Sequence, residues 1–133
     1  MDRNLQLLGI ARKAGLIAVG SEAVATATRK AKARLVLSAS DSSEGALRRA
    51  LSGAKTSGVV HVTVPYTKFE LGQITGRGSP GTVAVLDAGL AAGFLKGLAE
   101  AEPERYSTAA QKLESEAGAQ ANKRKTPPRR TAR

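Results

Sequence analysis

Between Asp2 and Leu98, segments whose apolar residues recur at helical spacing alternate with short runs of consecutive apolar residues, and few folds accommodate that alternation. Leu5, Leu8 and Ala11, with Leu7, Ile10 and Ala14 beside them, predict a helix that starts after Asp2 and stops at Gly15. Ile17 to Val19 is a short apolar stretch. Gly20-Ser21 then opens a second helical pattern through Val24, Ala27, Thr28 and Ala31, which ends in the basic run Arg29, Lys30, Lys32 and Arg34, where a helix dipole favours cations. Leu35 to Leu37 predicts a buried strand, and Asp41-x-x-Glu44 frames the start of a third helix carrying Leu47, Ala50, Leu51 and Ala54 on one face. Val59 to Val64 is the clearest strand, because valine is stiff at its first side-chain torsion and fits a pleated surface. Thr67-x-x-Glu70 reads as a capping box for a short helix ended by Gly76; Thr82 to Leu86 is a further strand, and Asp87 caps a helix through Leu98. The alternation predicts an α/β fold, a three-layer α/β/α sandwich with a central mixed sheet of about four strands.

Beyond Ala99 three glutamates, Glu100, Glu102 and Glu104, precede a polar alanine-rich stretch and a basic end, Lys123 to Arg133. The chain is therefore divided into a folded domain, 1–98, and a disordered or partly helical polar tail, 99–133, ending in a basic arm. Of the 21 lysines and arginines, 13 lie in residues 1–98 against 6 acidic side chains, so the folded part is basic without its tail. With a formal charge of +10 the natural partner is a polyanion. The sequence has no cysteine, which removes disulfides and thiolate chemistry and fits a reducing compartment. Arg12, Lys13 and Gly15 interrupt the N-terminal apolar pattern before it could serve as a signal core or membrane span, so a cytoplasmic protein with no membrane partner is expected. Two tyrosines and two phenylalanines are too few for a base-stacking sheet, which leaves shape and backbone as what an RNA ligand would offer.

Three places carry candidate chemistry. Gly20, Ser21 and Glu22 stand at a helix start, where amides and dipole favour an anion and the Glu22 carboxylate can accept hydrogen bonds from base edges; Ser21 as an N-cap and Glu22 as a first-turn acid is the structural alternative. Gly76 to Gly81 spells GxGxxG, but a helix precedes it and a strand follows, the reverse of a dinucleotide site. An exposed loop that lets Arg77 and several backbone amides, those of Gly78 and Ser79 among them, approach a phosphate is the better reading, with a flexible connector as the structural alternative. Arg29, Lys30, Lys32 and Arg34, taken to lie beside the Gly20 helix start, form a candidate phosphate-contacting surface, with a solvated helix face as the structural alternative. His61, the only histidine, falls inside a strand and reads as structural; Asp41 and Glu44 are explained by capping; no cluster has metal-ligand spacing. No catalytic residue, metal or cofactor is expected, and the chain is not expected to be an enzyme.

Leu7-Leu8-Gly9-Ile10-Ala11-Arg12-Lys13-Ala14-Gly15, Gly20-Ser21-Glu22, Lys32-Ala33-Arg34-Leu35-Val36-Leu37 and Thr67-Lys68-Phe69-Glu70-Leu71-Gly72 follow one another in an order and spacing that resembles the bacterial branch of the kink-turn-binding ribosomal proteins, the L-seven-Ae and L-thirty-e superfamily. The resemblance runs from about Asn4 to Leu98. It implies an L-thirty-e-like sandwich that grips a sharply bent RNA duplex, with Gly20, Ser21 and Glu22 at tandem sheared G·A pairs and Arg77, Gly78 and Ser79 near the extruded nucleotide. Archaeal members typically carry asparagine before the glutamate and lysine three places after it; here those positions are Ser21 and Ala25, and Arg29 and Lys32 are the cations placed to replace the charge. The expected function is binding of structured RNA of kink-turn type, ribosomal RNA among the candidates, by a monomer that is ribosome-associated or regulatory. The alternatives are a low-specificity RNA binder driven by charge and a protein-interaction adaptor on the same fold.

Overall fold

The structure is a computed structural model that describes residues 2–125, with side chains to position 119. The elements run α1 (Arg3–Lys13), β1 (Ile17–Val19), α2 (Ser21–Arg29), β2 (Leu35–Ser38), α3 (Glu44–Ser57), β3 (Val60–Thr63), α4 (Lys68–Thr75), β4 (Thr82–Val85), α5 (Ala88–Ala101) and α6 (Pro103–Lys125). The four strands form one sheet in the order β1-β4-β2-β3. β2 and β3 are parallel, with Val36 opposite His61, whereas β4 runs antiparallel to both β1 and β2, with Thr82 opposite Ser38. The expected mixed sheet is what forms.

Side-chain alternation along the strands feeds two cores. Leu35, Leu37, Val62, Val83 and Val85 meet Leu5 and Leu8 of α1, Leu71 of α4, Phe94, Leu95 and Leu98 of α5, and α6. The other face carries Val36 and Ala84 against Val24 and Ala27 of α2, Ala33, and Ala54 of α3. Four of those six residues are alanine, so the α2–α3 layer rests on small side chains while the larger volume lies on the opposite side. No helix among the described residues is long and apolar enough to cross a membrane.

The division at residue 98 is corrected. α5 continues to Ala101, and α6 follows after Glu102. Tyr106, Ala110 and Leu113 are fully or almost fully buried in the main core, with Ala117 packed beside them. The Tyr106 hydroxyl donates to the Thr63 carbonyl at 2.9 Å, which ties α6 to β3. The stripe has helical spacing, but it is one residue wide, two of its members are alanine, and charged positions flank it, so the segment reads as solvated when composition is weighed before periodicity. The basic arm from 126 onward lies outside the described residues.

Candidate nucleic-acid interface

α2 begins on Gly20, whose φ of 95° and ψ of 157° are open to glycine and costly for other residues. The Gly20 amide donates to the Thr82 carbonyl at 2.9 Å, and its carbonyl accepts from Val24, which opens the helical ladder. Gly20 is thus the N-cap and Ser21 the first helical residue, which corrects the reading of Ser21 as the cap. Asp2, Ser43, Thr67 and Asp87 cap α1, α3, α4 and α5 with side-chain oxygens, whereas no side chain caps α2. Its first-turn amides remain open to an outside acceptor. Ser21 and Glu22 are exposed beside them, and Glu22 forms no ion pair with a described cation.

The loop between α4 and β4 is held from two sides. α4 starts with the expected capping box, in which Thr67 Oγ1 accepts from the Glu70 amide at 3.1 Å and Glu70 Oε1 from the Thr67 amide at 3.0 Å. It ends on Gly76 at φ 72°, over which the Arg12 guanidinium lies, supplying the cation that the last turn of α4 lacks. A Cβ on Gly72 would strike the Gly78 carbonyl oxygen and lie 2.8 Å from that of Arg77, so the loop folds back onto the helix at the one residue without a side chain. Arg77, Gly78 and Ser79 are exposed at its tip. At its far end Gly81 accepts from Ala39 and Thr82 from Gly20, both at 2.9 Å. The root of the loop and the Gly20 helix start are therefore neighbours, although well separated in sequence.

The basic run lies toward the far end of α2, although Lys30 and Lys32 share one shallow depression with Glu22. Nine residues at 1.5 Å each put Arg29 about 13 Å from Gly20 along the helix. Lys30 caps the C-terminus, and Lys32 and Arg34 follow in the connection to β2, where the Arg34 amide donates to Val85. Arg34 is half-buried, with its Nε enclosed and without a partner among the described residues. The four cations thus mark the other end of α2. Sequence reasoning missed Arg48 and Arg49, which α3 places exposed in the same layer; their signal was available as the polar face of the third helix. Residues 20–58 hold seven cationic side chains against three anionic, while residues 87–119 hold three against six. None of Arg29, Lys30, Lys32, Arg34, Arg48 or Arg49 pairs with a described carboxylate. The α2–α3 face is therefore a free positive surface, whereas α5 and α6 up to residue 119 carry an excess of acids that Lys123, Arg124 and Lys125 at the end of α6 balance in number.

Asp41 does not frame α3. Ser43 caps that helix, accepting from the Ala46 amide, and Asp41 Oδ1 instead accepts from the first amide of α4, Lys68, at 2.8 Å. His61 Nε2 and Ser38 Oγ are 2.8 Å apart on the α2–α3 side of the sheet, and burial pushes the imidazole below its usual range. No three His, Asp or Glu side chains among the described residues come together to hold a metal.

No family model matches the sequence, and no curated protein matches it either. Solved structures do. A protein of unknown function from Bacillus halodurans superposes with a TM-score of 0.67 at 24% identity, over 73% of this chain and 97% of that one. The 15.5kD RNA binding protein of Giardia lamblia superposes with a TM-score of 0.58 at 17% identity, over 74% and 84% of the two chains. At these identities the likeness establishes the L-thirty-e-like sandwich and no more.

Proposed function

We propose that the protein binds structured RNA without chemically altering it, and that its target is a bent duplex of the kink-turn type held at the Gly20 helix start and the α4–β4 loop. The uncapped α2 start, with Glu22 exposed beside it on an unneutralised cationic layer, is the observation that carries this reading. Open amides and cations suit phosphates; an unpaired carboxylate among cations suits the amino and imino donors of base edges. Regular A-form duplex keeps its major-groove edges out of reach of side chains and its imino donors paired, whereas a bend exposes both. The Giardia protein of similar fold, described as RNA binding, is consistent with the assignment.

A paired titration of the full chain against a kink-turn RNA and a length-matched regular duplex at two salt concentrations tests it. The kink-turn is expected to bind at least tenfold tighter, a difference of about 1.4 kcal/mol, with the gap kept at the higher salt. Equal affinities that fade together would make the protein a charge-driven binder of low specificity. Glu22→Ala is expected to weaken kink-turn binding by about 1–3 kcal/mol and leave duplex binding unchanged or slightly stronger. Equal loss on both RNAs would remove Glu22 from base recognition.

A further inference from the structure

α2 and α3 do not close over the sheet. Between them lies a groove of about 280 Å³, walled by Val24, Ala25, Ala46, Ala50, Gly53 and Ala54. Small side chains face each other there, which is why the groove stays open. Arg29 of α2 and Arg49 of α3 stand on its two walls, both exposed and neither in an ion pair with a described carboxylate. On the floor Thr82, only 2% exposed, has an Oγ1 with no hydrogen-bond partner among the described residues. Such a hydroxyl costs free energy until something supplies one.

The occupant must therefore have an apolar flank for the alanine walls, an anion at the rim and a hydroxyl or other polar atom that reaches the floor. A fatty acid or an aromatic carboxylate with its charge at the rim would leave Thr82 unpaired. A ribose–phosphate chain has all three features in one repeating unit. The groove also begins at Ser21, in the first turn of α2, and reaches Arg29 about 12 Å farther on, so it continues from the helix start that the RNA reading already uses.

We propose that the α2–α3 groove is a track for one ribose–phosphate strand of the bound RNA, with phosphates held between Arg29 and Arg49 and a ribose hydroxyl meeting Thr82. This rests on the RNA-binding reading. It adds Arg49 and Thr82 to the interface and gives the distant Arg29 a partner across the groove.

The full chain and its Arg49→Gln, Thr82→Val and Lys112→Gln variants are titrated with the kink-turn RNA across a salt series, and their thermal unfolding is followed in parallel. Arg49→Gln is expected to lower affinity up to about fivefold and reduce the slope of log affinity against log salt by about one. Lys112→Gln, an equal loss of charge on α6, is expected to change neither. Thr82→Val is expected to weaken RNA binding while keeping or raising the melting temperature, since it removes an unsatisfied buried hydroxyl at nearly constant shape. A merely structural threonine would not move the two readouts in opposite directions. Arg49→Gln indistinguishable from Lys112→Gln, or Thr82→Val without effect on affinity, overturns the track and leaves RNA binding standing. Loss on Arg49→Gln in a protein that binds kink-turn and duplex alike supports the track and removes the kink preference. A wild-type protein that binds neither RNA overturns both.

Discussion

Gly72 shows how one missing side chain can set a surface. It lies inside α4, where alanine in its place would ordinarily gain about 1 kcal/mol from helix propensity. The Gly78 and Arg77 carbonyl oxygens occupy the space a methyl group needs, and both belong to backbone that cannot swing aside like a side chain. Gly72→Ala is therefore expected to destabilise the protein by about 1 kcal/mol or more, or to expel the loop, read by denaturant unfolding and by amide exchange across 76–81. A gain of stability with unchanged exchange would show that the loop is not held there. The sign at His61 also follows from packing. Its folded pKa is lowered by burial, so as pH falls below about 6.5 the unfolded chain takes a proton that the folded chain resists. Its contribution to stability is present above that pH and is lost as pH falls toward the folded value. His61→Gln, which can still bond Ser38, is expected to lose less stability than the wild type between pH 6.5 and 5; parallel curves would refute it. Residue roles of this kind were only partly legible in the sequence. Thr67 and Glu70 could be read because a capping box is local, whereas Asp41 looked like a cap for its own helix and in fact serves α4, a partner that only the tertiary fold brings near.

At the level of elements, helices α1 to α5 and all four strands were legible from their apolar patterns, and α1, α3 and α4 also carry their own stops: Gly15, Gly58 and Gly76 take left-handed φ values just where those patterns end. α6 was not, since its stripe of Tyr106, Ala110 and Leu113 is narrow and its composition polar. Its burial makes it part of the fold. Leu113→Ala should cost about 2–5 kcal/mol, as deletion of a fully buried leucine does, and Tyr106→Phe about 1 kcal/mol for the lost bond to Thr63. Urea unfolding of the two variants checks this; a Leu113→Ala midpoint equal to that of the wild type would return α6 to the status of a tail. The candidate site was legible to about the same degree as the elements that hold it. Gly20 to Glu22 and the loop from Gly76 could be picked out, but their adjacency depends on the Gly20–Thr82 bond across β1 and β4, and the distance of Arg29 from that start depends on the length of α2.

For the whole molecule, the decisive quantity is how far apart the two charged sides are. The helix layers flank the sheet at about 10 Å each, which puts the glutamates of α5 and α6 roughly 20 Å from the basic α2–α3 side. At 0.1 M salt the screening length is about 10 Å, so the acids act on a phosphate at the α2–α3 face with about a seventh of their unscreened strength; at 0.01 M, with a length of about 30 Å, they keep about half. Exposed Glu100 and Glu114, with half-buried Glu116, can be changed together to glutamine without touching the buried stripe of α6. That variant gains three units of positive charge, so if net charge alone governed RNA binding its affinity would climb steeply at every salt. If the polyanion lies on the α2–α3 face, affinity for the kink-turn RNA should rise less than about twofold at 0.15 M and distinctly more at 0.01 M. A large rise at 0.15 M would mean that RNA also runs along the α5–α6 side, and the interface would have to be drawn around the molecule instead of across one face of it.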